Sequence, residues 1–271
     1  MSILKKKALW FALYGILITL IFLYLLFPSD IAKSRLEDAV NSSGFVLKTD
    51  SLGPALPFGL KMKNTIFSSG SMANIYFQGQ LLDLQFNPIS FFQKNKTIGL
   101  SGKAYGGNFS GRFGLVSFSN IYPPEDVKLK LQNIDLGQYT FIKTLMGREI
   151  TGKTSGSLIF NNAAGGNLSG TIDIVLNGGT FALAEPFLGL NRIDFNRAEI
   201  QAKIKNGSII LDKLKITGPQ LDCLLSGEIT LADDLKNSQL NLKGEMTISD
   251  KKVKMNVNVG GTLSNPVLRY I

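Results

Sequence analysis

Alternation of apolar and polar side chains is the most constraining pattern in this chain of 271 residues. It is clear at residues 198–205 and 253–259, and a period of two with one apolar face is typical of half-buried antiparallel strands. The pattern places every second side chain of each segment on one face of a sheet. These apolar side chains are Ala198, Ile200, Ala202 and Ile204 in the first segment and Val253, Met255, Val257 and Val259 in the second. Because helical sequence is scarce, this face must close on itself, meet a second sheet, bind a partner or hold lipid in a groove.

Turn and helix signals punctuate the alternating segments. Asn206-Gly207 and Asn177-Gly178-Gly179 each separate two apolar residues, and both are sequences that favour tight hairpin turns. Residues 31–43 and 136–146 have helical spacing instead, each followed by a glycine, and residues 186–190 are a further candidate helix.

An uncharged apolar run near the N-terminus predicts a membrane anchor. At about 1.5 Å per residue, a helix of about 20 residues spans a hydrocarbon core of about 30 Å. The run ends at Pro28 without a small-x-small cleavage site, which favours an uncleaved signal anchor over a cleaved signal peptide. Its residues are Ala8, Leu9, Trp10, Phe11, Ala12, Leu13, Tyr14, Gly15, Ile16, Leu17, Ile18, Thr19, Leu20, Ile21, Phe22, Leu23, Tyr24, Leu25, Leu26 and Phe27.

The lysines at positions 5–7 predict a cytoplasmic N-terminus, so the rest of the chain is expected on the far side of the membrane. We therefore divide the chain into a cytoplasmic tip and transmembrane anchor at 1–28, a short amphipathic helix at 29–44 and a periplasmic β domain at 45–271. The expected fold is mainly β: a transmembrane helix, then a curved antiparallel meander or sandwich-like sheet with one or two short helices.

Composition excludes several kinds of chemistry. The chain has no His, which removes imidazole acid–base catalysis and imidazole metal sites. Its single cysteine, Cys223, alternates with Leu221 and Leu225 and is expected to pack as a small apolar side chain. The 29 basic residues exceed the 20 acidic ones but are spread along the chain, so a nucleic-acid partner is not expected. No catalytic centre, cofactor or metal site is predicted.

The order of these features resembles the type II secretion system protein N family and, more distantly, the AsmA-like periplasmic proteins. The more specific pieces are Leu56-Pro57-Phe58-Gly59-Leu60 and Gly261-Thr262-Leu263-Ser264-Asn265-Pro266 near the C-terminus. The resemblance implies an inner-membrane protein with a periplasmic β domain, associated with the machinery that exports folded proteins through the outer membrane. It carries over no catalytic residue to this chain.

Two functions follow from that resemblance. The first is a structural or assembly component of the type II secretion machinery, acting through contacts with other secretion proteins. The alternative is an AsmA-like lipid-binding or lipid-transfer protein, with a phospholipid or acyl chain on the apolar face of an open sheet. Tyr122 and Arg148 are candidate loop residues for a protein contact in the first case.

Overall fold

The computed structural model describes residues 3–42, 44–69, 75–93, 96–115, 125–163, 167–187, 189–248 and 253–270. Strands make up 64% of the structure, and within the described residues they form one antiparallel sheet of 15 strands. The prediction of a mainly β chain with an antiparallel sheet is confirmed. The strands form one continuous sheet rather than the two sheets of a sandwich.

In the part of the chain that the structure describes, three helices accompany the sheet: α1 (Ile3–Leu25), α2 (Ser29–Asn41) and α3 (Thr140–Met146). The strands are β1 (Phe45–Lys48), β2 (Ser51–Ala55), β3 (Gly59–Ser69), β4 (Ile75–Phe86), β5 (Lys96–Ala104), β6 (Gly107–Leu115), β7 (Asp126–Asp135), β8 (Lys153–Ala163), β9 (Asn167–Phe187), β10 (Leu190–Lys205), β11 (Ser208–Thr217), β12 (Leu221–Thr230), β13 (Gln239–Ile248), β14 (Val253–Gly261) and β15 (Pro266–Tyr270). Short 3₁₀ turns occur at Pro88–Phe92, Leu136–Gln138 and Leu235–Asn237.

The sheet is a meander in which each strand from β3 onward pairs with the next strand in the chain. Both β1 and β2 pair with β3, at residues 66–69 and 59–63 respectively, so they form one interrupted edge strand. At the interruption the buried Thr49 hydroxyl donates to the Lys63 carbonyl oxygen at 2.8 Å. The same oxygen also accepts the Asp50 N–H at 3.1 Å, so the hydroxyl adds a second hydrogen bond where the edge strand is interrupted.

The sheet curves around its apolar face. Tyr139 follows β7, yet its hydroxyl donates to the carbonyl oxygen of Tyr76 in β4 at 2.9 Å. Helix α3 contacts both β4 and the 3₁₀ turn Leu235–Asn237, which precedes β13. These contacts join strands that are far apart in the sheet order, so the apolar face is concave and α3 crosses it.

The two predicted helices after the anchor are confirmed. Helix α2 coincides with the first, and the second is a 3₁₀ turn followed by α3. Gly147 ends α3 with a φ of 66°, the left-handed conformation that glycine adopts at helix C-termini. The helix considered at 186–190 is wrong, because Phe187 and Leu190 pair across a hairpin between β9 and β10. So short a stretch is a marginal helix by itself, and strand pairing prevails.

The two predicted hairpin turns have different outcomes. Asn206-Gly207 does connect β10 and β11, with φ angles of 45° and 83° that suit a two-residue turn. Asn177-Gly178-Gly179 is instead inside β9, where Asn177 pairs with both neighbouring strands. A Cβ on Gly179 would lie 2.1 Å from the carbonyl oxygen of Thr151. Gly179 therefore permits close strand packing, whereas Gly178 has open space at its Cβ position and a left-handed φ of 57° within the strand.

Helix α1 contains the predicted anchor residues as far as Leu25, and its described large apolar side chains are exposed except for Ile18, which is partly buried. The side chains of Ala8, Leu9 and Leu23 lie outside the described ones. Counted over the described residues, no helix combines the length and the apolar content needed to cross a membrane. The membrane anchor, the division of the chain at residue 28 and the periplasmic location stay predictions.

Candidate functional site

The concave face of the sheet contains two adjoining cavities. Cavity 1, of about 690 Å³, lies over β3 to β10 in the N-terminal half of the sheet. Four of its lining residues carry a hydroxyl group, Thr65, Tyr105, Tyr139 and Thr154, and none of the described lining residues is charged. The rest of its wall is aliphatic or phenyl, including Leu82, Leu100, Phe109, Leu129, Leu131, Ile134, Ile142, Leu145 and Ile174.

Cavity 2, of about 530 Å³, lies over β9 to β15 in the C-terminal half. Its floor comes mainly from the inward-facing residues of β11, β12 and β13, such as Leu214, Leu225 and Leu242. Arg148 and Asn265 also line it and are its polar contributors. Both cavities fall within the range of about 300–1,000 Å³ that is typical of ligand pockets.

Ile200 and Met146 line both cavities. Ile200 lies on β10, near the middle of the sheet, and Met146 lies in the last turn of α3 above it. Both side chains are only partly buried. The two cavities are therefore neighbours on one continuous apolar surface, which we call the groove.

Aromatic side chains close the groove near cavity 1. The ring centroids of Tyr105 and Tyr139 lie 4.9 Å apart. Phe141 of α3 packs edge-on against Tyr76, with 5.0 Å between the ring centroids. The Tyr105 hydroxyl accepts a hydrogen bond from the backbone N–H of Gln78 at 2.6 Å. Burial raises the pKa of Tyr139 to about 12, with a smaller contribution from Tyr105. These hydroxyls remain neutral and bind backbone groups of β4, so they are structural rather than acidic groups.

Arg148 comes directly after Gly147, between α3 and β8. Its Nη2 donates to the carbonyl oxygen of Ser264, in the turn between β14 and β15, at 3.4 Å. Partial burial lowers the pKa of the guanidinium below its ordinary value, because water around the charge is displaced. Tyr122, the other loop residue singled out in the sequence, lies outside the described residues.

Cys223 lies on the floor of cavity 2 and belongs to the buried core with Leu221 and Leu225. Burial raises the pKa of its thiol to about 11, which leaves little thiolate at neutral pH. The expectation that this cysteine packs as a small apolar side chain is confirmed.

The eight side chains predicted for an apolar face have different surroundings. Ala198, Ala202 and Val257 are at most 6% exposed and belong to the core. Ile200 and Val259 line the cavities. Met255 packs beside the core, Ile204 is partly buried, and Val253, at the end of its strand, is 43% exposed. The alternation thus marks one side of the sheet without separating core from cavity wall.

The opposite, convex face is mainly polar, with a few exposed apolar side chains such as Leu224, and carries ion pairs between neighbouring strands. Glu199 on β10 forms two ion pairs. Its Oε2 lies 2.7 Å from Nζ of Lys213 on β11, and its Oε1 lies 2.8 Å from Nε of Arg197 on its own strand. Hydrogen bonds from these two cations lower the pKa of Glu199 to about 2. Lys254 and Glu245 form a similar pair between β14 and β13 at 2.7 Å. This face is thus suited to water, in contrast to the groove.

Four exposed apolar side chains form an apolar tip at one end of the sheet: Leu56, Phe58, Ile89 and Phe92, which are 71%, 48%, 66% and 94% exposed. The Phe86 N–H donates to the Phe58 carbonyl oxygen at 2.8 Å and brings the two turns together. Helix α2 runs antiparallel to the β1–β2 edge, since Asn41 contacts Leu47 whereas Lys33 contacts Asp50. The start of α2, and hence the end of α1, therefore lies toward the apolar tip.

Three parts of this site carry no clear sequence signal: α3 crossing the sheet, Arg148 reaching the β14–β15 turn, and the tyrosine contacts with β4. All depend on contacts between segments remote in sequence. The spacing of apolar residues at 136–146 was the signal that a helix would interrupt the strands.

Comparisons with protein-family models, with curated proteins and with solved structures found no match. Among the described residues, no three or more Cys, Asp and Glu side chains come together in a group that could hold a metal ion. The groove is therefore the feature of this molecule that points to a function.

Proposed function

We propose that this protein holds acyl chains of lipids in the groove, as the AsmA-like alternative implies. The observation that carries the proposal is a pair of adjoining cavities whose described lining residues include a single charged side chain, Arg148. Exposed apolar surface on this scale is costly in water unless a ligand or partner covers it. The concave shape suits a flexible, narrow ligand better than the flat face of another protein.

The ligand's tail is expected to contribute most of the binding free energy. Each methylene buried in an apolar site contributes about 0.8 kcal/mol, so affinity should rise with chain length until the groove is filled. Ile200 and Met146 border both cavities, which allows one chain to extend from cavity 1 into cavity 2.

The test is to purify the full chain in detergent and identify co-purifying lipid by mass spectrometry. Ile200→Glu places a carboxylate at the boundary of the two cavities, where an acyl chain would strip it of water. Gln201→Glu is the matched control, because Gln201 is the next residue of β10 and is exposed on the convex face. We expect Ile200→Glu to lose the bound lipid and Gln201→Glu to retain it.

A second variant distinguishes a loss of lipid binding from misfolding of Ile200→Glu. Ile200→Trp fills the boundary between the cavities without adding charge, and it should also reduce the amount of bound lipid. Wild-type protein that carries no lipid and binds none when supplied would overturn the proposal. Equal lipid content in both Ile200 variants and the control would do the same.

We further propose that α1 anchors the protein in the inner membrane and that the apolar tip touches the periplasmic surface of the bilayer. The apolar run at 8–27 supports the anchor, and the tip lies toward the end of α1. In a Trp10→Phe background reconstituted into vesicles, Phe92→Trp should be quenched by brominated phosphatidylcholine. Leu224→Trp, at an exposed position on the convex face, should not be quenched. Equal quenching at both positions would contradict this orientation.

A structural role in type II secretion is a second proposal, which the resemblance of residues 56–60 supports. These residues form the exposed β2–β3 turn, a position open to a protein partner. Deleting the gene should abolish secretion of type II substrates in the source bacterium, and Phe58→Glu should weaken it while the protein stays folded. Normal secretion in the deletion strain would remove this role and leave the lipid proposal untouched.

A further inference from the structure

Arg148 is an unusual residue for a wall that is otherwise apolar. It lies where the end of α3 meets the β14–β15 turn, and it is partly buried at the edge of cavity 2. A guanidinium carries five N–H donors. Among the described residues, the Ser264 carbonyl oxygen is the partner that the structure gives them.

No described carboxylate pairs with Arg148. The adjacent acid, Glu149, is bound by Lys143 instead. Partly buried charges in proteins are normally paired or strongly hydrogen bonded, because removing them from water is costly. The positive charge of Arg148 is therefore available to an anion that enters cavity 2.

A second polar group lies beside it. Asn265 also lines cavity 2, and it belongs to the same turn as Ser264. Two hydrogen bonds fix that turn: Ser264 N–H to the Lys236 carbonyl oxygen at 3.1 Å, and Leu263 N–H to the Ser238 carbonyl oxygen at 2.9 Å. These bonds fix the backbone of the turn, and with it the Ser264 carbonyl oxygen that Arg148 binds, before any ligand is present.

We propose that Arg148 and Asn265 form the binding site for the phosphate of a phospholipid whose acyl chain lies in the groove. This inference rests on the proposed function and adds the orientation of the bound lipid: its headgroup lies at cavity 2 and its acyl chain extends toward cavity 1. The planar fork of an arginine matches two oxygens of a phosphate. Cavity 1, by contrast, has no charged side chain among its described lining residues, and its two tyrosine hydroxyls already bind backbone groups of β4.

The experiment offers the full chain in detergent an equimolar mixture of dioleoyl phosphatidylglycerol and dioleoylglycerol, which share their acyl chains but not the phosphate. Native mass spectrometry then counts each bound lipid. We expect the wild type to prefer the phospholipid and Arg148→Gln to lose about tenfold of that preference. Arg148→Lys keeps the charge without the fork and should fall between them. Arg269→Gln, an exposed arginine of β15, is the matched control and should behave as wild type.

The outcomes separate this inference from the proposed function. If the wild type retains neither lipid, the proposed function fails. If both lipids bind and Arg148→Gln leaves the preference unchanged, the phosphate site is wrong and the apolar groove stands. Inorganic phosphate alone should not raise the thermal midpoint of the wild type. A rise that Arg148→Gln abolishes would identify a site for free phosphate and overturn the assignment to a lipid headgroup.

Discussion

The two cavities of the groove have similar sizes but different chemistry. Cavity 1 is lined by side chains without charge and is closed by a cluster of tyrosine and phenylalanine rings. Cavity 2 has Arg148 and Asn265 at its edge, on segments fixed by backbone hydrogen bonds. The same helix accounts for both: α3 supplies Ile142 and Leu145 to cavity 1, and the residue after its glycine cap supplies the charge to cavity 2. One short crossing element thus makes a uniform sheet face asymmetric.

This asymmetry matters because a sheet face built from alternating residues has no direction of its own. A ligand with an apolar tail and a charged head needs one end that differs from the other. The structure supplies that difference through a loop rather than through the strands.

Core and cavity wall should respond differently to the same charge. Val257→Glu buries a carboxylate at a site that is 1% exposed and is expected to unfold the sheet, at a cost of more than about 3 kcal/mol. Ile200→Glu faces a cavity that water can enter when lipid is absent, so the protein should remain folded. Urea unfolding followed by circular dichroism measures both. A folded Val257→Glu protein would show that this face is not a closed core.

The reaction rate of the Cys223 thiol measures the accessibility of the floor of cavity 2. Because its thiol has a pKa of about 11 against an ordinary value of 9.0, about a hundredfold less thiolate is present at neutral pH. A thiolate of higher pKa is more nucleophilic, which offsets part of this loss, so we expect a water-soluble disulfide reagent to modify the folded protein at least about tenfold more slowly than urea-unfolded protein. Bound lipid should slow the reaction further in cavity 2. Rapid modification of the folded, lipid-bound protein would contradict the position of this residue.

The closure of cavity 1 should weaken at high pH. Tyr139 has a pKa of about 12 in the folded protein, above its ordinary value of 10.0. Between these values the unfolded state has released a proton that the folded state keeps, so stability falls as pH rises from about 10 to about 12, by up to about 2 kcal/mol. Tyr139→Phe removes this contribution and should flatten the decline. Urea unfolding at several alkaline pH values tests this, and identical curves for both proteins would refute it.

The junction between the cavities depends on the end of α3. Gly147 has a φ of 66°, and a Cβ at this position would lie 3.3 Å from the Ser264 carbonyl oxygen. Gly147→Ala should therefore cost about 1 kcal/mol and loosen the contact between Arg148 and the turn. Thermal unfolding measures the loss, and Gly15→Ala, with open space around it, is the control. An unchanged midpoint in both would mean that this contact contributes little.

Much of the fold could be predicted from the sequence because its signals are local. Successive side chains of a strand point to opposite faces of the sheet, whatever the shape of that sheet. The alternation at 198–205 and 253–259 therefore predicts strands without any knowledge of the curvature. Asn206-Gly207 and Gly147 work in the same way, since each determines the backbone at its own position. The hairpin predicted at Asn177-Gly178-Gly179 was wrong because glycine occurs both in tight turns and where two strands pack closely. The close approach of the Thr151 carbonyl oxygen to Gly179 distinguishes the two cases, and it is not visible in the local sequence.

The site was less accessible to prediction. Whether Ala198 packs in the core or Ile200 faces a cavity depends on curvature, which results from the sum of strand twists and from α3 crossing the sheet. Arg148 was considered a loop residue for partner contacts, yet it lines the groove. Its position depends on a turn that lies 116 residues further along the chain.

The uninterrupted neighbour-to-neighbour pairing of the strands has a consequence for how this molecule can fold and vary. Because nearly every pairing is a hairpin, each new strand docks on one already present, and loop-closure entropy is small at every step. Assembly can thus spread along the sheet in the manner of repeat proteins. Insertion or loss of one hairpin would lengthen or shorten the groove by the width of two strands, about 9.5 Å, while leaving the remaining ladder intact. If the groove holds an acyl chain as proposed, the number of hairpins sets the longest chain it accepts, and evolution or design can change that number in whole steps.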